Sequence, residues 1–171
     1  RASMRAGAGA VDLDGPSFVG MFDRRVRDSG AILVGAGAPA SSPVARSPLP
    51  FSNHGRRVDL QGWGAEVASV GGGDLQWCAD PARERLDDEV GHKSSRDYTA
   101  TASGTGVAAA IVAGAAAQIS GVYRARHGRP ITPAALRALL VATGTPQAGP
   151  PGAPHIGPLP DVKAALAALA R

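Results

Sequence analysis

Cysteine is almost missing from this chain: Cys78 stands alone among 171 residues. A lone thiol excludes an intrachain disulfide framework and any zinc or iron–sulfur site built from several cysteines. Aromatics are scarce too, at 4%, so few large anchors can hold a core together. Lysine occurs only at Lys93 and Lys163, and asparagine only at Asn53. Basic charge therefore rests on arginine, in small groups: Arg24/Arg25/Arg27, Arg56/Arg57 and Arg124/Arg126/Arg129. A nucleic-acid binder gathers its arginines into one patch or stripe. This scatter, with acids interrupting the first group and a net charge of only +4, argues against nucleic acid as a partner. No apolar run follows the opening Arg1-Ala2-Ser3-Met4-Arg5, so no signal peptide is visible in the sequence shown.

What the chain has in excess is small. Alanine, glycine and proline fill 71 of the 171 positions, so the core must be built from close backbone approach. Hydrophobic content of 44% with 19% charge is a globular balance, unlike that of a disordered chain. The length fits one domain or part of a larger one.

Several elements are readable. Gly15-Pro16-Ser17 looks like a helix entrance, with Phe18, Met21, Phe22 and Val26 at helical spacing. Ala31-Ile32-Leu33-Val34 reads as a strand covered on both faces. Val58–Leu60, Ala65–Val70 and Tyr98–Thr101 read as further strands. From Tyr98 to Tyr123 no residue is charged, which is long enough to cross a membrane. Its content is mostly Ala and Gly, however, with Gln118 and Ser120 opposing insertion. It is expected to be a helix buried inside a protein, apolar all round, running from Thr105 to about His127 and stopped by Gly128 and Pro130. Thr132-Pro133 opens the next helix, with Leu136, Leu139 and Leu140 on one face. Pro160-Asp161 opens the last, with Val162, Leu166 and Leu169. Helices alternating with buried strands imply an α/β fold. Residues 1–14 read as an irregular lead-in, residues 15–171 as the domain, and residues 76–97 as a charged loop or insertion.

Three motifs carry possible chemistry. Gly35-Ala36-Gly37-Ala38-Pro39-Ala40 follows a strand as a dinucleotide fingerprint does. That fingerprint needs a helix to start at once, and Pro39 and Pro43 prevent it. Cys78, Asp80 and His92 are metal-ligand types, but no pair has a recognisable ligand spacing, and no metal site is expected. Ser103-Gly104-Thr105-Gly106, opening directly into the small-residue helix, would leave first-turn amides unpaired at the positive end of a helix dipole. Such a mouth can hold an anion or a developing oxyanion. It can equally be the start of a core helix that needs small residues for packing.

A resemblance in the order of segments decides the reading. Ala31–Gly37 resembles the strand of subtilisin-like serine peptidases (subtilases) that ends in Ala-Ala-Gly-Asn. Phe51-Ser52-Asn53-His54-Gly55, Val58-Asp59 and Gln61-Gly62-Trp63-Gly64 resemble that family's Phe-Ser-Asn-x-Gly, Val-Asp and Ala-Pro-Gly stretch. Ser103–Gly114 resembles its Gly-Thr-Ser-Met-Ala-x-Pro-x-Val-Ala-Gly motif. Thr132–Leu140 with Thr143-Gly144-Thr145 resembles the family's next helix and its ending, and Ile156–Asp161 the start of its closing helix. The resemblance runs over residues 15–170. It implies a mostly parallel sheet with helices on both faces, of which this is the C-terminal part, and serine endopeptidase ancestry.

The departures fall on the chemistry. The nucleophilic serine of the family corresponds to Gly106, which has no side chain to attack with. Its oxyanion asparagine corresponds to Ala38, and one lost donor alone costs ~10²–10³ in rate. The Asp and His motifs of the family do not occur in this chain. A replacement triad from Ser103, His54 and Asp59 has no support in the spacing. The resemblance thus implies a degenerate peptidase: a polypeptide ligand beside Gly35, Ala36 and Gly37, with Ser103 and Thr105 at the mouth. The N-terminal part of the domain, in cis or in trans, is the expected partner, because without its strands the sheet would have an uncovered edge and an exposed apolar face. Family members often carry calcium and are often exported, but this sequence adds no ligand pattern and no export signal. The alternative is a structural or interaction domain without catalysis.

Overall fold

The computed structural model describes residues 9–71, 75 and 98–170. The expected charged segment 76–97, with Cys78, Asp80 and His92, lies outside the described residues. Four strands form two pairs: β1 (Val34–Gly37) runs parallel to β2 (Leu60–Trp63), and β3 (Val67–Val70) runs antiparallel to β4 (Tyr98–Ala102). Three helices come after them in the chain, α1 (Thr105–His127), α2 (Pro133–Thr143) and α3 (Val162–Ala168).

The parallel pair is the hub. Val34 lies opposite Leu60, and Gly37 opposite Trp63. The strand starts three residues later than the run Ala31–Val34 suggests. Side chains claim the earlier main-chain groups: Asp59 Oδ2 accepts from Leu33 N at 2.8 Å, and the Ala31 carbonyl accepts from Arg57 and Arg137. The ladder begins only beyond them.

One face of the pair meets the helices. Leu60, Val112, Ile119, Leu140 and Ala165 form a buried cluster, with Ile32 and Val34 packed on it. The opposite face is covered by Leu13, Val58 and Ile156, with Val11 and Leu33 against them. Successive residues of the Ile32–Val34 run thus enter different clusters, as a strand covered on both sides requires. In this chain the second cover comes from irregular segments rather than helices. The irregular residues 11–13 join this packing: Leu13 N donates to His54 O at 2.8 Å, and His54 N to Val11 O at 3.0 Å.

The expected helix over Phe18–Val26 does not form. Only a 3-10 turn, Pro16–Phe18, is present, followed by further turns. Gly20 adopts φ +74°, which no right-handed helix tolerates. Asp23 also draws in the Arg25 amide at 2.9 Å, a local bond that competes with helix. Val19, Met21 and Val26 are exposed as a result.

The helix boundaries match their signals. Gly128 closes α1 in the left-handed region (φ 66°), its amide donating to Arg124 O. Thr132 Oγ1 accepts from Ala135 N at 3.3 Å and Asp161 Oδ1 from Ala164 N at 2.8 Å, capping α2 and α3. The burial of α1 departs from expectation. Only Ala108, Val112, Ala115 and Ile119 are buried in its 23 residues. That is one stripe at spacings of three and four, flanked by half-buried residues such as Ile111 and Ala116, while Ala109, Ala110, Ala113, Gly114 and Ala117 are exposed. Uniform small residues carry no amphipathic signal, so the sequence could not tell which face turns inward. By length and composition α1 would also pass as a membrane span, but its buried stripe packs on β1 and β2.

Candidate functional site

Glycines bring the start of α1 onto the ends of the parallel strands. Gly104 N donates to Gly64 O at 2.8 Å, and Gly64 N donates to Gly37 O at 2.9 Å. Gly62 packs against the main chain of Ala108: a Cβ on Gly62 would come within 2.3 Å of the Ala108 carbonyl oxygen. A Cβ on Gly64 would come within 2.4 Å of the Ala36 methyl. Only glycine permits either approach. Gly104 itself sits at φ 124°, and no side chain caps the helix. Its first-turn amides are left for solvent or a ligand.

Gly106 lies on the second residue of α1, exposed to solvent. A Cβ built there meets nothing within 4 Å. The position is therefore glycine without a steric need for it. Ser103 is exposed and Thr105 half-buried beside it.

The strand-end residues are enclosed. Ala38 is buried, its amide donates to Ser47 O at 2.8 Å, and its carbonyl accepts from Arg46 N at 2.9 Å. It offers no free donor and is not the second half of an oxyanion hole; the residue bonded to the helix mouth is Gly64. Gly35, Ala36 and Gly37 are buried as well. On the side away from β2, Ala36 N donates to Ser52 Oγ, Ala36 O accepts from Leu49 N, and Gly37 pairs with Pro48. A peptide strand has no free edge to join there. The segment 39–49 folds back along β1 and takes that edge. The sequence hinted at this only through Pro39, Pro43, Pro48 and Pro50, which exclude a helix but do not say where the loop lies.

Ser103, His54 and Asp59 are not brought together. The buried Asp59 carboxylate accepts from Leu33 N and from Arg57 Nη1 (2.6 Å) and forms an ion pair with Arg24. His54 Nδ1 is buried with no hydrogen-bond partner. Among the described residues no three His, Cys, Asp or Glu side chains converge as metal ligands would.

Arginines and aspartates form ion pairs away from the α1 mouth. Asp28 accepts from Arg137 Nη1 at 2.9 Å and also pairs with Arg137 Nη2. These side-chain bonds, then the Gly30 amide, hold its carboxyl well below the usual carboxylate range. The Arg25 side chain, then its amide, lowers Asp23 to about 2. Burial lowers the buried Arg57 guanidinium, and the charges of Arg24 and Arg137 add to the shift.

A short parallel sheet, a glycine-lined junction and a small-residue helix entering at the strand ends define part of an α/β hydrolytic scaffold of the subtilisin type. The chain belongs to the subtilase family, whose model matches residues 18–156. Among solved structures it is similar to a lanthipeptide protease, with 22% identity, TM-score 0.54 and 81% of this chain covered. It is also similar to the patellamide maturation protease PatA (21%, TM-score 0.56, 83%) and to a protease from Pseudoalteromonas arctica PAMC 21717 (20%, TM-score 0.55, 82%). It spans less than half the length of each: 41%, 44% and 36% respectively. No curated protein matches it. The scaffold is thus a protease-like portion of a subtilase fold.

Proposed function

We propose that this chain is the C-terminal portion of a subtilase domain that has kept the peptidase scaffold and lost the hydrolytic chemistry. The observation that carries the reading is Gly106: an exposed first-turn position with open space in front of it and no oxygen to attack a carbonyl. Subtilase hydrolysis is acyl transfer, in which a serine attacks, a histidine takes its proton and amide donors hold the oxyanion. This chain supplies at most the helix-mouth amides. A polypeptide remains the natural ligand class for the scaffold, and Ser103, Thr105 and Gly106 are where it would lie. The closed edge at Gly35–Gly37 argues against strand addition there.

The exposed side of α1 fits the second part of the proposal, a complementary half of the domain, in cis or in trans. Ala109, Ala110, Ala113, Gly114 and Ala117 are all exposed on it. Small residues let another backbone approach closely, as the buried side of the same helix does at Gly62.

Two measurements test these readings. The chain should take no label from a fluorophosphonate probe and should not cut casein peptides; labelling at any serine would overturn the loss of the nucleophile. In a Cys78→Ser background, Ala113→Cys should react with maleimide in this chain alone and be protected in the whole protein. Equal reactivity in both would overturn the complementary half.

A further inference from the structure

Two of the arginine groups separated in sequence, Arg24/Arg25 and Arg56/Arg57, meet around one cavity. It measures about 420 Å³ and is lined by both pairs, by Asp14 and Asp23, and by Leu13, Phe18, Val19 and Phe22. We infer that this cavity binds a monocarboxylate with an apolar body, such as the C-terminal residue of a peptide or a free aryl or alkyl acid.

The charge balance carries the inference. Arg25 is paired with Asp23 at 2.6 Å and Arg56 with Asp14 at 3.3 Å. Behind them, Arg137 is paired with Asp28. The one remaining carboxylate, Asp59, serves both Arg57 and Arg24. These ion pairs join five guanidinium groups to four carboxylates, so one guanidinium has no carboxylate of its own. The shortfall lies where Arg24 and Arg57 share a partner.

Arg24 is also short of an acceptor. Its Nε is buried without a hydrogen bond, although the side chain as a whole is one-third exposed. A buried donor without an acceptor is costly, the more so when charged. A carboxylate entering the cavity would relieve this with a small turn of the Arg24 side chain, and a guanidinium fork matches a carboxylate in shape. Burial lowers the pKa of both Arg24 and Arg57, and neighbouring arginine charge adds to each shift. That is the signature of under-compensated positive charge.

The opposite wall selects the rest of the ligand. Phe18 and Phe22 stand with ring centroids 5.7 Å apart, beside Leu13 and Val19. Cavities that take small ligands are ~300–1,000 Å³, mostly apolar, with a few polar groups that fix orientation. An inorganic anion would leave this wall in contact with water. The inference does not depend on the loss of peptidase chemistry, because every residue named lies away from the α1 mouth in sequence and in contacts.

The test is a thermal-shift and calorimetric titration of the 171-residue chain with N-acetylphenylalanine, 3-phenylpropionate, N-acetylphenylalaninamide and inorganic phosphate. N-acetylphenylalanine should raise the unfolding midpoint with concentration, as a ligand of the native state must, and bind one to one. The neutral amide and phosphate should bind at least tenfold more weakly. Phenylpropionate binding equally well assigns the site to free acids as readily as to chain termini; tenfold weaker binding assigns it to peptide termini. Arg24→Gln should weaken N-acetylphenylalanine at least tenfold, and Arg126→Gln, exposed near the end of α1 and outside the cavity lining, less than twofold. No midpoint shift with either acid, equal binding of the amide or of phosphate, or an unchanged affinity in Arg24→Gln would overturn the inference. The comparison of acid with amide decides it in the wild-type chain even if Arg24→Gln fails to fold.

Discussion

Gly104 N and Gly64 O are joined by a 2.8 Å hydrogen bond, and this one contact seats the α1 mouth on the strand ends. It links the hairpin side of the chain to the parallel pair, because Gly64 is itself bonded to Gly37. The geometry needs no side chain at the junction, and that absence is the first thing a substitution can test.

Gly62→Ala should destabilise the chain by about 1–3 kcal/mol, the usual cost of overpacking. The added methyl would sit 2.3 Å from the Ala108 carbonyl, which belongs to helix backbone and cannot rotate aside. Urea unfolding followed by circular dichroism measures it; a change within about 0.3 kcal/mol, far below that cost, would mean that α1 does not rest on β2.

Gly106→Ala should do the opposite. The new Cβ meets open space, and Gly within a helix is about 0.5–1 kcal/mol worse than Ala. A stability gain of a few tenths to ~1 kcal/mol is expected. Gly106→Ser should fold equally well and still take no fluorophosphonate label, since among the described residues a Cβ at that position meets nothing within 4 Å. Labelling of the serine variant would show that a base is within reach after all.

Asp59→Asn should cost ~3–5 kcal/mol, because removing one partner of a buried ion pair strands the other charge. Here it would strand Arg57 and Arg24 together. The matched surface change, Asp23→Asn beside the exposed Arg25, should cost far less, as surface pairs do. Equal effects of the two would contradict the burial at Asp59.

Acid should loosen the seat of α2 through Asp28. Its carboxyl is lowered from 3.8 in the folded chain, so its contribution is fully present above that value. It is lost as pH falls below 3.8 toward the folded pKa. The urea midpoint should therefore drop between about pH 5 and pH 2, and by less in Asp28→Asn. Identical acid sensitivity in both would show that the Arg137–Asp28 pair does not hold α2.

Much of the frame was legible. Gly128, Thr132-Pro133 and Asp161 are local devices, each acting on amides within four residues, so their sequence signals translate directly into helix ends. Gly106 and the missing serine were equally plain, since a side chain that is not encoded cannot be restored by folding. The Phe18–Val26 helix failed because periodicity ignored Gly20 and the Asp23 side chain, which are stronger locally than four apolar residues. What encloses Ala38 was not legible, because a motif position says what residue stands there but not what folds over it.

The sequence by itself determined the family, the ends of the three helices and the glycine at position 106, because these rest on residue identity and near neighbours along the chain. Only the tertiary structure decided which stripe of α1 is buried, that segment 39–49 closes the edge of β1, and that Arg24/Arg25 meet Arg56/Arg57. Those outcomes depend on backbones and charges far apart in sequence competing for the same hydrogen-bonding groups, and no local pattern records which competitor wins.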